Sequence, residues 1–377
     1  MNLALAIKSL TLSRGGAERF TRNLVRGLTA RGHRLTVLCH DWDAGAEQFG
    51  VELVRIPPPR RWHHPWYEFS RNVHAALATL PRHDLLFGLT QLCPQDVHRL
   101  GGGVYAHWYR RKYGALLPLQ KIRARVRRAL RFEQALYSPA NYRRLITISN
   151  MDRRILMDLY GVPADRVTTV YNGFDFDEFH PRGRAAARDR LCRDHKLDPG
   201  TRLVLFASNN YVRKGLPQAV EALRRTRHPR EFTLVVIGKS RRTVQRKLQR
   251  RLAGVMSSVW LDHVPNPADY YRACDFMVFP TLYDSFANVI GEALACGLPV
   301  ITTRQAGGGE MIIENGNGYV ISAADSVDEL TACIELMAFK ERCDEFSPRA
   351  PELIAACTIA RCAAQTEAVL QQALEAR

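Results

Sequence analysis

Short, nearly unbroken apolar runs alternate along this chain with stretches whose apolar positions recur every three or four residues. In the first half the runs are "LALAI" (3–7), "LTVLC" (35–39), "VELVRI" (51–56), "DLLFGL" (84–89), "LITIS" (145–149) and "VTTVY" (167–171). Between the first two lies "GGAERFTRNLVRGLTARG", whose Ala17, Phe20, Leu24, Val25 and Leu28 fall at helical spacing. Strand, helix, strand, repeated with apolar strands, predicts a parallel sheet covered on both faces. The periodicity stops around "YNGFDFDEFHPRGRAAARD" (171–189), and a second series follows: "RLVLFAS" (202–208), "FTLVVIG" (232–238), "SVWLD" (258–262), "FMVFP" (276–280), "PVITT" (299–303) and "GYVIS" (318–322).

The pattern predicts an α/β protein of two Rossmann-like, doubly wound domains, 1–172 and 173–350. A closing segment, 351–377, forms one amphipathic helix or a broken pair and packs back toward the first domain. A chain of 377 residues suits two cores. Such sheets hold ligands at the carboxyl ends of their strands, so a cleft between the domains is the expected site. The opening "MNLALAIKSLTLSRGG" reads as a first strand rather than a signal peptide. No apolar run approaches the length of a membrane-spanning helix.

Charge changes the picture. Against 37 Asp plus Glu stand 54 Lys plus Arg, a net charge of +17 and a pI near 9.8, which points to anionic partners. The nine cysteines have no metal-ligand spacing and read as reduced, buried apolar residues.

Three constellations can carry chemistry. Gly15 and Gly16, between the first strand and first helix, let backbone approach a phosphate, or simply make a tight turn. They are not the G-x-G-x-x-G fingerprint, which disfavours a nicotinamide cofactor. Arg213 and Lys214 follow the first strand of the second domain and precede Gly215, a placement that suits a diphosphate, with a solvated basic turn as the plain alternative. In "YDSFANVIGEALACGLPVITT" (283–303), Asp284 and Glu292 stand at the two ends of the first turns of a buried helix, which Ala287 opens. A Glu among Val289, Ile290, Ala293 and Leu294 needs a partner, and ribose hydroxyls would supply one.

Together "GGAER", "NGFDFDEFHP" (172–181), "RKG" (213–215) and the carboxylate pair resemble the retaining glycosyltransferases of family 4, over nearly the whole chain. The resemblance implies the GT-B fold, two Rossmann-like domains facing a central cleft, and transfer of a hexose from a nucleotide-sugar. It places Arg213 and Lys214 on the leaving diphosphate with Gly15 and Gly16 opposite. It places Asp284 on the donor sugar and Glu292 on the ribose, with Phe286, Ala287, Asn288 and Val289 lining the donor. Where the commoner family pattern has Glu, this chain has Asp284, one methylene shorter. No cofactor and no divalent metal are implied, so "DWD" (41–43) and "DFD" (175–177) are not metal motifs. A UDP-sugar is the favoured donor. The loop read over 96–108 offers Asp96, His98 and His107 as acceptor-binding or base candidates.

Nine Lys or Arg lie between Arg110 and Arg131. A helix from Pro118 would align Leu119, Ile122, Val126, Ala129, Leu130 and Leu136 along one stripe. Trp108, Arg110, Arg111, Lys112, Lys121, Arg123, Arg127, Arg128 and Arg131 would then meet an anionic membrane, or the stripe would pack on the sheet beneath a solvated basic face. The lipopolysaccharide core glucosyltransferases of the family have similar segments. The expected enzyme is therefore cytoplasmic, peripheral to the inner face of the cytoplasmic membrane, and extends a lipid-linked or phosphorylated glycan, with other envelope glycans or glycolipids as alternatives. A non-catalytic nucleic-acid- or membrane-binding protein is the rival class. The nucleic-acid version rests on pI alone, and no nucleic-acid partner is expected.

Overall fold

The structure, a computed structural model, describes residues 1–11, 15–60 and 64–376. The chain divides into two compact units, Met1–Gly173 with Cys357–Arg377, and Phe174–Ala356. Its crossings thus fall at 173/174 and 356/357, where 172/173 and 350/351 were expected.

In the first unit, β1 (Asn2–Ala6), β2 (Arg34–Cys39), β3 (Glu52–Arg55), β4 (Leu85–Gly88), β5 (Val97–Leu100), β6 (Arg144–Thr147) and β7 (Val167–Thr169) form a seven-stranded sheet in the order β3-β2-β1-β4-β5-β6-β7. All its ladders are parallel. Successive side chains of β1 point to opposite faces, and both faces are dry. Leu3 and Leu5 join Leu24, Val25 and Leu28 of α1 (Gly15–Ala30) in one core. Ala4 and Ala6 join Phe69 and Val73 of α2 (Pro65–Leu77) in the other.

β5 was not expected. Its sequence, VHRL, looks like loop, yet all four residues are buried. His98 is therefore a strand residue inside the sheet, not part of a loop over 96–108. Arg99 is buried too, donating to the Val170 carbonyl at 3.0 Å and to Asn172 Oδ1 at 2.8 Å.

The basic segment also departs from its expected form. In place of one helix from Pro118 there are α3 (Tyr105–Tyr113), a short α4 (Leu117–Gln120) and α5 (Ala124–Leu136). Of the expected stripe, Val126, Ala129 and Leu136 are buried, joined by Phe132. Leu119 and Ile122 are instead 62% and 73% exposed, because the chain breaks before α5 and turns them off the packed face. Glu133, buried in α5, accepts the N–H groups of Tyr105 at 2.6 Å and Ala106 at 2.8 Å, which anchors the start of α3. Next in the chain comes α6 (Asn150–Tyr160), capped by Ser149 Oγ, which accepts the Asp152 N–H at 3.1 Å.

In the second unit α7 (Arg184–His195) leads into a six-stranded parallel sheet. Its strands are β8 (Arg202–Ala207), β9 (Phe232–Ile237), β10 (Ser257–Leu261), β11 (Phe276–Phe279), β12 (Val300–Thr303) and β13 (Gly318–Ile321), in the order β10-β9-β8-β11-β12-β13. The connections from β8 to β12 run through α8 (Leu216–Arg225), α9 (Arg242–Leu252), α10 (Pro267–Ala273) and α11 (Asn288–Ala295), and α12 (Val327–Ala338) and α13 (Lys340–Leu353) follow β13. The closing segment is a broken pair, since α13 ends at Leu353 and α14 spans Ile359–Glu375. Helix α14 belongs to the first unit, where Cys362, Val369, Leu370 and Ala373 join the core beneath α1.

Candidate active site

The strongest polar constellation stands at the carboxyl edge of the second unit's sheet, where the segments after β8, β11 and β12 meet. The turn after β8 carries Arg213 and Lys214 and ends at Gly215, whose φ is 81°. Besides that left-handed backbone, a Cβ at Gly215 would overlap the Pro280 carbonyl, so only glycine lets the turn seat on the end of β11. The Arg213 carbonyl accepts the Leu282 N–H at 3.0 Å and the Thr281 hydroxyl at 3.2 Å, while its Nε donates to the Tyr283 carbonyl at 3.1 Å.

Lys214 Nζ forms an ion pair with Asp284 Oδ2. The Asp284 backbone is fixed on both sides, its N–H donating to Gln305 O and its carbonyl accepting from Gly307 N, each at 2.9 Å. Oδ1 accepts the Phe286 N–H at 3.3 Å. Burial opposes ionisation of this carboxyl, but the Lys214 ammonium, Arg213 and the Phe286 N–H together hold it below the usual carboxylate range. Burial lowers the Lys214 pKa, against the pull of Asp284.

Asp284 lies in the turn between β11 and the helix, as the sequence predicts, and Glu292 within the helix. Ala287 precedes α11 with φ 64°, a left-handed conformation that costs a non-glycine residue about 1 kcal/mol and here turns the chain into the helix. Asn288 and Val289 are its first two residues, and N–H groups there have no carbonyl partner within the helix. Glu292, 8% exposed, accepts the Tyr271 hydroxyl on Oε2 at 2.9 Å. The partner expected from a ribose is thus supplied in part by the protein.

The sequence reading missed Tyr271, Tyr283, Thr281 and the glycines after β12. The run "GGG" at 307–309 was a visible signal, since a Cβ on Gly308 would overlap the Phe286 carbonyl. Tyr271 left none, being one buried aromatic among many.

In the first unit Gly15 and Gly16 are the first residues of α1, and Ser13 and Arg14 before them lie outside the described residues. Two of the three base candidates are displaced. Asp96 precedes β5, at the amino edge of its sheet, where it accepts the Leu86 N–H at 2.7 Å and pairs with Arg143 at 3.0 Å. His98 is 2% exposed, and burial pushes its pKa down to about 4. Only His107, in the first turn of α3, lies beyond the carboxyl end of its strand; burial, then Arg111 and Arg110, lower its pKa. Trp108, Arg110, Arg111 and Lys112 are also on α3, Lys121 and Arg123 lie in the break, and Arg127, Arg128 and Arg131 are on α5. Every one of these Lys and Arg residues is exposed.

Two parallel-sheet α/β units in tandem, the second with cations beside a carboxylate at its carboxyl edge, match the GT-B glycosyltransferases. More narrowly, the chain belongs to glycosyltransferase family 4: the model "Glycosyltransferase Family 4" matches residues 14–178, and "Glycosyl transferases group 1" matches residues 201–338. It is 31% identical over 245 residues to the D-inositol 3-phosphate glycosyltransferase 2 of Catenulispora acidiphila, a match covering 62% of this chain and 56% of that protein. The chain thus spans about half the length of the inositol-phosphate relatives it matches. It is 23% identical over 328 residues to the lipopolysaccharide glucosyltransferase WaaG of Escherichia coli K12, with 84% of each chain covered. A crystal structure of WaaG superimposes with a TM-score of 0.82, at 19% identity over 97% of this chain and 98% of that one. Anabaena HepE, crystallised with UDP and glucose, superimposes with a TM-score of 0.72, at 16% identity over 98% and 99%.

Proposed function

We propose that the protein is a retaining, metal-independent hexosyltransferase. Its donor is a nucleotide-sugar, foremost a UDP-sugar, and its acceptor a lipid-linked or phosphorylated glycan of the lipopolysaccharide core or of another cell-envelope glycan or glycolipid. The observation that carries this reading is the convergence of Arg213, Lys214 and Asp284 on one sheet edge. In the reaction the bond from the sugar C1 to the diphosphate breaks as one from C1 to the acceptor oxygen forms. The acceptor's proton passes to a phosphate oxygen on the same face, which requires no side-chain nucleophile. Arg213 and Lys214 offset the charge that develops on the leaving diphosphate. Asp284 orients sugar hydroxyls, and Glu292, held by Tyr271, receives the ribose. The UDP and glucose bound by HepE support the donor class.

The enzyme works, on this reading, at the inner face of the cytoplasmic membrane. Leu116, Leu119 and Ile122 are exposed among the nine cations of 110–131, which suits an anionic interface better than a stripe wholly packed on the sheet. No helix among the described residues is long and apolar enough to cross a membrane.

The test is nucleotide release from UDP-, GDP- and ADP-hexoses with detergent-solubilised truncated lipopolysaccharide core, with and without EDTA. Glycan-dependent UDP release that EDTA leaves intact is expected, with the product's anomeric configuration matching the donor's by NMR coupling. Release that requires Mg²⁺, or an inverted product, contradicts the mechanism. A response to inositol 3-phosphate alone moves the acceptor to that of the inositol-phosphate relatives.

A further inference from the structure

Glycine is a poor helix former, yet Gly291 sits in the middle of the eight-residue α11. A neighbouring ring accounts for it. A Cβ at Gly291 would overlap Cζ, Cε1 and Cε2 of Phe174, so the tip of that ring fills the notch where a side chain would stand. Phe174 is buried, and its ring also stacks on Phe286, with centroids 6.2 Å apart and planes 15° from parallel. One aromatic side chain therefore bears both on the helix that carries Glu292 and on the turn that follows Asp284.

The approach to this notch is fixed as well. The chain leaves the first unit at Gly173 and enters the second at Phe174. Just before the crossing, buried Arg99 donates to Asn172 Oδ1 at 2.8 Å. A Cβ at Gly173 would overlap the Thr358 carbonyl and the backbone of Ile359, so the chain passes flush against the start of α14.

Phe286 carries the placement of the ring into the site. Its N–H donates to Asp284 Oδ1 at 3.3 Å, and its carbonyl accepts the Gly308 N–H at 2.5 Å. Lys214 holds the other carboxylate oxygen, Oδ2. How the Asp284 carboxylate is turned thus depends on where the backbone of Phe286 sits. Glu292 has a separate anchor, the Tyr271 hydroxyl at 2.9 Å. We infer that Phe174 is a positioning residue for transfer: wedged in the Gly291 notch, it seats Phe286 so that Asp284 is aimed at the donor sugar. The inference rests on the reading of Asp284 as the carboxylate that orients sugar hydroxyls. Turnover is sensitive to displacements below 1 Å at such a group, whereas UDP, held through Glu292 and the two cations, binds without it.

If the ring served packing alone, any side chains of fitting volume would replace it. The test therefore compares Phe174→Leu, Gly291→Ala and their combination, in which the new methyl group enters the notch that the ring has left. The readouts are Tm, the Kd of UDP by calorimetry, and kcat for UDP release from UDP-glucose with truncated lipopolysaccharide core. Phe174→Leu should lower kcat about tenfold or more while the Kd of UDP stays within about twofold, the pattern of a lost transition-state contact. Gly291→Ala, which drives the ring out of its notch, should lower kcat to a similar extent. The combined variant should have a higher Tm than either single one but a kcat still about tenfold low, because no ring covers Phe286. Recovery of kcat together with Tm in the combined variant, or a wild-type kcat in Phe174→Leu, overturns the positioning role. A wild type that binds no UDP and releases none from UDP-, GDP- or ADP-hexoses marks the failure of the transfer reading itself, and the inference falls with it.

Discussion

Lys214 and Asp284 form one largely buried ion pair. Removing one partner of such a pair strands the other's charge, so a loss of activity in a single variant confounds folding with chemistry. Lys214→Ala should lower kcat ~100-fold or more, about 3 kcal/mol of transition-state stabilisation. Lys214→Met with Asp284→Asn removes both charges; it should recover Tm but not turnover. Recovery of turnover would reduce Lys214 to a structural partner of Asp284. His98 gives a separate prediction. Its folded pKa of about 4 lies below the unfolded value near 6.5, so between these pH values only the unfolded state binds the proton. Stability should therefore fall by up to about 3 kcal/mol as pH drops from 6.5 to 4. Urea midpoints of wild type and His98→Leu across this window check it: the variant should lose less, and equal losses would remove His98 from the acid response.

At the scale of elements, α3 is tied to α5 by apolar packing of Tyr105, Ala106 and Tyr109 and by one buried carboxylate. Glu133 accepts two N–H groups at the start of α3 and the Tyr160 hydroxyl at 2.6 Å, so Glu133→Ala should cost about 2–3 kcal/mol in chemical denaturation, while Glu133→Gln, which keeps an acceptor, should cost less. The same segment carries the proposed membrane face. Replacing Arg123, Arg127 and Arg128 by Gln should weaken binding to anionic vesicles and leave UDP-sugar hydrolysis unchanged; equal loss of both would indicate a role in folding. Elements whose burial follows from apolar content were legible in the sequence, as with β1, β8 and β11. β5 was not, because His98 and Arg99 are buried polar residues, and the partners of Arg99, Val170 and Asn172, lie far along the chain. The stripe of 118–136 misled for the opposite reason: helical spacing was present at Leu119 and Ile122, but the break before α5 removed those residues from the packed face.

For the whole molecule, two parallel sheets in tandem followed from the alternation of strand and helix, and family 4 followed from motifs in their order. Arg213, Lys214 and Glu292 could be named from the sequence because they adjoin strand ends and a helix of recognisable pattern. That Lys214 pairs with Asp284, and that Tyr271 holds Glu292, depends on loops and helices brought together only by the fold. The account's central claim is that the carboxyl edge of the second unit's sheet binds a nucleotide-sugar. Thermal stabilisation of the purified chain by UDP, GDP, ADP, CMP and their sugars, with wild type beside Glu292→Gln, tests it most directly. The account predicts saturable stabilisation by UDP and UDP-hexoses that is lost or strongly weakened in Glu292→Gln; stabilisation by no nucleotide, or equal stabilisation of both proteins, would contradict it.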